Sequence, residues 1–168
     1  MPIEIGNIFE LQDFVSVQNK NVTFPLEIIT GTPILIRIPL EKFSRESSDS
    51  APYNSIYWRS SHPLSLFVEA IESNLKKKYQ EFTNSQAGIN DTTTMFEKFR
   101  FKREISTRIF VGNSKIPVIG SLWEFAFSKA IPKEFQLFAL DCGLGERNSL
   151  GFGFMNPIPT TLRLRKRH

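Results

Sequence analysis

The chain has 168 residues, 40% of them hydrophobic, with 16 phenylalanines, which is enough for one ordinary domain with an aromatic-rich core. No run of 18 apolar residues occurs, Glu4 stands where a secretory leader would be basic, and a single cysteine with two histidines excludes an internal disulfide and a structural zinc set. A cytoplasmic protein with no membrane partner, no metal and no other cofactor is expected, and its net charge of +4 suits a polyanionic partner.

The first segment, Ile3 to Val17, mixes β-formers with turn residues and reads as strand or hairpin. In the next, Ile34, Ile36, Ile38 and Leu40 alternate with Leu35 and Arg37, the period of a sheet strand with Arg37 on its polar side. Residues 41 to 61 combine Ser, Asp, Pro and Asn with Tyr53, Tyr57 and Trp58, the composition of a long loop carrying aromatics. Pro63 then opens a helix in which Leu64, Phe67, Val68, Ile71, Leu75 and Phe82 recur along one side. Lys76, Lys77 and Lys78 fall in its last turns, where positive charge suits the helix dipole.

After a loop from Asn84 to Thr94, alternation returns between Met95 and Val111. Phe99, Phe101, Ile105, Ile109 and Val111 are expected on one face, and Arg100, Lys102, Glu104 and Arg108 on the other. The Gly-Asn pair inside VGNSK predicts a tight hairpin into IPVIGSLWEFAF. Pro132 opens a second helix, KEFQLFALDC, with Cys142 on its buried side and Gly143 as its stop, and a last strand is expected at Phe152 to Ile158. From Ile34 onward the order is βαββαβ, that of a ferredoxin-like α+β domain: a four-stranded antiparallel sheet backed by two helices, with extra N-terminal strands ahead of it.

The run GLGERNSLGFGF, Gly143 to Phe154, is not a Walker loop. It follows a helix, whose C-terminal end is negative, and no Lys comes after its glycines. It also fails as an RNA-recognition-motif strand signature, because Leu150 replaces a base, Pro157 replaces an aromatic, and no helix can follow. Read as G-φ-G, five residues and G-φ-G, it resembles the C-terminal glycine-rich signature of the RAMP superfamily, in particular the endoribonuclease that cuts precursor CRISPR RNA. TGTPILIR (Thr30 to Arg37) is similar to that family's strand entry, and AIESNLKKKY (Ala70 to Tyr79) to its Asn-Leu-x-x-Lys-Tyr helix.

The resemblance implies two tandem ferredoxin-like domains, with the glycine loop in the second and the usual catalytic histidine in the first. This chain is similar to the C-terminal half. Residues 1–30 then read as extra strands or the remnant of a first domain, 31–158 as the RAMP domain, and 159–168 as a basic tail. The implied reaction needs no metal: a ribose 2′-OH attacks the adjacent phosphate, leaving a 2′,3′-cyclic phosphate and a 5′-OH, so a proton acceptor and a donor near pH 7 are wanted. Of the two histidines, His62 is the candidate, against a plain capping role beside Ser60, Ser61 and Pro63, while His168 ends the tail. Tyr53, Tyr57 and Lys115 are candidate helpers.

For binding, Gly143, Gly145, Gly151 and Gly153 are expected to bring backbone N–H groups to a phosphodiester, with Arg147 supplying charge and Asn148 a hydrogen bond. The alternative is that these glycines only permit tight packing of the helix on the last strand. Arg100, Lys102, Arg108 and Lys115 would line a hairpin that meets RNA phosphates, or simply form a solvated strand face. The readings left open are a processing endoribonuclease represented by its RNA-binding half and inactive alone, a non-catalytic RAMP subunit, and a generic RNA-binding module. The expected partners are precursor CRISPR repeat RNA together with a first-domain partner chain, a second copy of this chain or CRISPR effector subunits.

Overall fold

The computed structural model describes residues 23–43, 54–84 and 93–158. The N-terminal segment to residue 22, Tyr53, most of the Ser-rich loop, residues 85–92, the basic tail and His168 lie outside these residues. In chain order the elements are β1 (Glu27–Thr30), β2 (Arg37–Pro39), β3 (Ser55–Tyr57), α1 (Leu64–Thr83), β4 (Phe96–Val111), β5 (Ser114–Phe127), α2 (Lys133–Cys142) and β6 (Met155–Pro157). Strands β4, β5, β1 and β6 form one sheet in that order, every neighbouring pair antiparallel, while β2 and β3 make a separate two-stranded sheet. With the β2–β3 hairpin set aside, this is the ferredoxin-like order.

Both helices form where local chemistry starts and stops them. Pro63 and Pro132 sit immediately before α1 and α2, where no backbone donor is needed, and Asn84 and Gly143 follow them at positive φ (49° and 74°). Phe67, Ile71 and Leu75, at i, i+4 and i+8, form the fully buried stripe of α1. Each is worth about 1.5–3 kcal/mol when taken from water. Phe67 stacks on Trp123 at 4.5 Å, and Phe99, Phe101 and Phe125 surround Trp123 or each other at 5.1–5.3 Å, so the sheet-to-helix interface is built from rings. Gly112 (φ +59°) opens the two-residue turn between Val111 and Ser114, as VGNSK predicts.

Four sequence expectations are corrected. The first strand of the four-stranded sheet is Glu27–Thr30, inside the segment assigned to N-terminal additions, and it pairs with β5 and β6. Ile34 makes only an isolated bridge to Ser121, and Arg37 to Pro39 leave for the small sheet. Ile34, Ile36 and Ile38 are all buried, but so is Leu35 between them, and only Arg37 is exposed, so the alternation specifies no partner strand. The expected aromatic loop contains β3, and its Trp58 is buried against Phe67 and Trp123 at 4.7 and 5.5 Å.

The proposed common face of Arg100, Lys102, Glu104 and Arg108 is broken by bulges between Glu97 and Arg100 and between Phe101 and Arg103. Each bulge adds one residue to β4, so Arg100 lies opposite Glu124 and Arg108 opposite Pro117, which are on different faces of β5. Finally, α1 continues to Thr83, which places Lys76 to Lys78 more than a turn from its end, beyond the reach of the dipole argument.

One buried amide joins α2 to the chain entering β1. Gln136, 2% exposed, accepts the Leu26 N–H at 2.8 Å and donates to the Ile131 carbonyl at 2.8 Å. Gln136→Leu strands both backbone groups and is expected to lower unfolding free energy by about 2–3 kcal/mol in urea titration, with little change of slope.

Candidate functional site

The glycine run closes a corner between α2 and β6. Gly143, Gly145, Gly151 and Gly153 all have positive φ, between 71° and 86°, for different reasons. A Cβ at Gly153 would stand 1.9 Å from the Leu144 carbonyl oxygen and one at Gly145 2.3 Å from that of Leu35, whereas one at Gly151 meets open space. The amides of this corner are mostly spent inside the protein: Leu144 N–H donates to Gly153 O, Gly153 N–H to Pro33 O, Glu146 N–H to Leu35 O, Gly143 N–H to Ala139 O and Gly151 N–H to Asn148 O, at 2.7–3.0 Å. Asn148 is likewise engaged, its Nδ2 donating to Leu144 O and Phe152 O at 3.0 and 2.9 Å. These groups, from which an amide cradle and an Asn148 hydrogen bond to phosphate are expected, make the hydrogen bonds that hold the corner together.

The cation at the corner's centre is Lys78. Its Nζ donates to Asn148 Oδ1 at 2.6 Å, Gly145 O at 2.7 Å and Gly143 O at 3.2 Å, so all three ammonium hydrogens find acceptors. Burial holds this ammonium below the ordinary lysine value, with Cys142 and Glu146 pulling it back up. Burial also pushes the neighbouring Cys142 thiol up, which keeps it protonated and a poor nucleophile.

On the outer side of the corner lies a cleft of about 810 Å³. Arg37, Arg59, His62, Lys115 and Arg147 line it together with an apolar wall from Ile56, Tyr57, Pro117 and Ile119. Each cation is placed by the fold. Glu146 fixes Arg37 through its N–H (3.0 Å) and its Nε (2.7 Å), tying β2 to the corner. Arg147 takes a left-handed backbone (φ 58°), and its Nε is buried without a hydrogen-bond partner, a donor facing the demand of P–O or carboxylate oxygens.

Arg59 and His62 sit on a loop anchored from below by Trp58, whose indole N–H donates to Pro63 O at 3.0 Å, and from the side by Ser60, whose N–H donates to Glu104 at 2.8 Å. The Arg59 N–H donates to His62 Nδ1 at 3.1 Å, and the imidazole lies 4.7 Å from the Phe43 ring.

Of the residues singled out from sequence, Tyr57, His62, Lys115 and Arg147 meet at this cleft. Arg100 and Lys102 do not, being ion-paired with Glu124 at 3.4 and 2.9 Å. Arg108 lies across the ribbon from Pro117 without lining the cleft, and the glycines and Asn148 support the cleft from behind. Arg37 and Arg59 were not among the candidate site residues. Arg37 was visible as the polar member of an apolar alternation, and Arg59 as the residue after a tryptophan that the loop has to bury.

Residues 17–157 match the family model described as CRISPR associated protein Cas6, C-terminal. The chain belongs to the Cas6 family. A protein of Methanocaldococcus jannaschii named CRISPR-associated endoribonuclease Cas6 2 is 32% identical over 160 residues, covering 90% of this chain and 59% of its own length. The Haloferax mediterranei protein named CRISPR-associated endoribonuclease Cas6 is 30% identical over 142 residues, covering 80% of this chain and 52% of its own. This Cas6-family chain thus spans a little over half the length of these curated relatives. The fold agrees with a solved structure titled CRISPR associated protein Cas6 (TM-score 0.53, 22% identity, 79% of this chain and 48% of that one). It agrees equally with one titled An RAMP protein binding different RNA substrates (TM-score 0.51, 22% identity, the same coverages). Among the described residues, no helix is long and apolar enough to cross a membrane.

The corner makes two stability predictions. Lys78→Met leaves two carbonyls and Asn148 Oδ1 without their donor and is expected to cost about 3 kcal/mol in chemical denaturation. Gly153→Ala, where a Cβ collides with backbone, is expected to prevent the corner from forming, whereas Gly151→Ala pays only for its positive φ, about 1–2 kcal/mol. Comparing the two alanine variants by thermal melting separates packing from conformational strain.

Proposed function

We propose that this chain is the RNA-holding half of a CRISPR RNA-processing endoribonuclease, and that its cleft receives the phosphodiester backbone of a precursor CRISPR repeat. The observation that carries this reading is the convergence of Arg59, Lys115, Arg147 and the tethered Arg37 on one cleft with an apolar wall. Guanidinium groups match phosphate oxygens in geometry, and the wall accommodates ribose and base. The printed names of the full-length relatives, endoribonucleases that share about 30% identity with this chain, support the same reading.

In the proposed reaction, which needs no metal, the 2′-OH of the ribose loses its proton and bonds to the neighbouring phosphorus. The P–O5′ bond then breaks and the 5′ oxygen takes up a proton, leaving a 2′,3′-cyclic phosphate and a 5′-OH. Arg147 and Arg59 would stabilise the charge that builds on the non-bridging oxygens. His62 is the cleft histidine, and its Nδ1 is occupied by the Arg59 N–H, so the neutral ring carries its proton on Nε2. It therefore presents a donor to phosphate. The proton acceptor is assigned to a first-domain partner, and the chain alone to weak or absent cleavage. The same hydrogen bond favours the second reading, a non-catalytic RNA-binding subunit.

Two measurements test this. Arg147→Ala and Arg59→Ala are each expected to weaken repeat RNA binding and to flatten its log-log salt dependence by about 0.7. Unchanged slopes would reject the cleft as the phosphate site. Incubating the chain with repeat RNA in EDTA and assaying for cyclic phosphate ends then tests the nuclease reading: cleavage abolished by His62→Ala supports it against the subunit, whereas binding without cleavage is expected of both the isolated RNA-holding half and the subunit.

A further inference from the structure

Beyond Ser121, β5 pairs only with β4 among the described residues, so the two strands run on as a ribbon past the cleft. Directly opposed residues of an antiparallel pair share a face. The pairs Ser106–Ile119, Arg108–Pro117 and Phe110–Lys115 therefore lie on one face, and Ile119, Pro117 and Lys115 are cleft-lining residues. Arg108 and Phe110 extend that wall outward to the ribbon tip. At about 3.4 Å per residue, the stretch from Ile119 to Lys115 spans roughly 14 Å.

Phe110 is the unusual group on this track. Its side chain is 71% exposed, and the Lys115 ammonium lies 5.6 Å from its ring centroid. Most other rings among the described residues are gathered in the core, Phe82 and Phe154 being exposed elsewhere, and an exposed phenyl at a hairpin tip adds nothing to that core. Val111, also exposed, pairs with Ser114 on the opposite face, so on its own face the ring has Lys115 opposite it and Arg108 and the edge of the apolar wall, Pro117, next along the ribbon.

We propose that Phe110 stacks on an unpaired base of the RNA held in the cleft, with Lys115 and Arg108 contacting the phosphates on either side. The proposal rests on the RNA-binding reading above. An exposed ring flanked by positive charge suits a nucleobase, whose π-face is flat and whose neighbours are anionic, better than it suits a protein surface. An unpaired base is required because the deep, narrow major groove of A-form RNA keeps side chains from the base edges and stacking hides the faces.

The test uses the full chain and a short single-stranded RNA carrying one 2-aminopurine, with the same sequence as a duplex for comparison. Binding to the single strand is expected to quench the 2-aminopurine. Phe110→Ala should remove the quench and weaken single-strand binding about tenfold, at an unchanged salt slope, while Phe110→Trp restores both. Phe110→Ala behaving as the unaltered chain overturns this proposal alone. Equal weakening on strand and duplex overturns it too, as does a loss of dimer by light scattering, which would give the ring to a second copy. An unaltered chain that binds neither probe overturns the RNA-binding reading together with it.

Discussion

A single ammonium group fastens the part of this molecule on which its cleft depends. The last carbonyls of a helix are the negative end of its dipole, and at the end of α2 the Gly143 carbonyl, with that of Gly145 just beyond, turns inward to Lys78. A corner of this kind would carry unsatisfied carbonyls if no donor came from outside the α2–β6 segment, and α1 supplies it from 65 to 70 residues away in sequence. With that side fixed, the opposite side of the same corner is free to face outward. There Glu146 holds Arg37, and Arg147 enters the cleft on a left-handed backbone. The arginine is thus positioned by a lysine it does not touch.

What could be read from the sequence follows the range of the interactions involved. Helices α1 and α2, their proline starts, the Gly143 stop and the Gly112–Asn113 turn depend on neighbours a few residues apart, and the structure has them where the sequence puts them. The first strand does not. Ile28 and Thr30 alternate with Glu27 and Ile29 just as Ile34, Ile36 and Ile38 do with their neighbours, and only pairing with β5 and β6, more than 90 residues away, decides which of the two runs enters the sheet. The bulge at Lys98, a lysine at φ 53°, is equally silent, because a period of two assumes that no residue is inserted.

The candidate site shows the same division. Lys115, Arg147 and His62 were legible as charged or titratable residues next to turns, whereas the partnership of Arg37 with Glu146 crosses 109 residues. The glycine signature was legible as a family resemblance, with tight closure of the corner legible only as the alternative to a phosphate cradle. Its amides and the Asn148 side chain bind the protein to itself, and Gly145 and Gly153 are required by backbone oxygens within 2.3 Å of a would-be Cβ.

The open face of the sheet suits RNA less well than the proposed cleft and ribbon do. In ferredoxin-like modules that read RNA on the sheet, aromatic side chains stand on the exposed face as stacking platforms. In this chain Trp123, Phe125 and Phe127 point the other way, into the interface with α1, and the residues that alternate with them are Glu124 and Ala126. Glu124 lies opposite Arg100 and accepts ion pairs from it and from Lys102, and Glu27 joins the same face through its register with Ala126. A phosphate approaching that surface meets carboxylates and cations already neutralised by them. The cleft offers the contrary balance, with one carboxylate, Glu146, spent on Arg37, and with Arg59, Lys115 and Arg147 left to act outward. Placing the rings inside gives this small sheet its core and leaves the cations of the cleft at its rim.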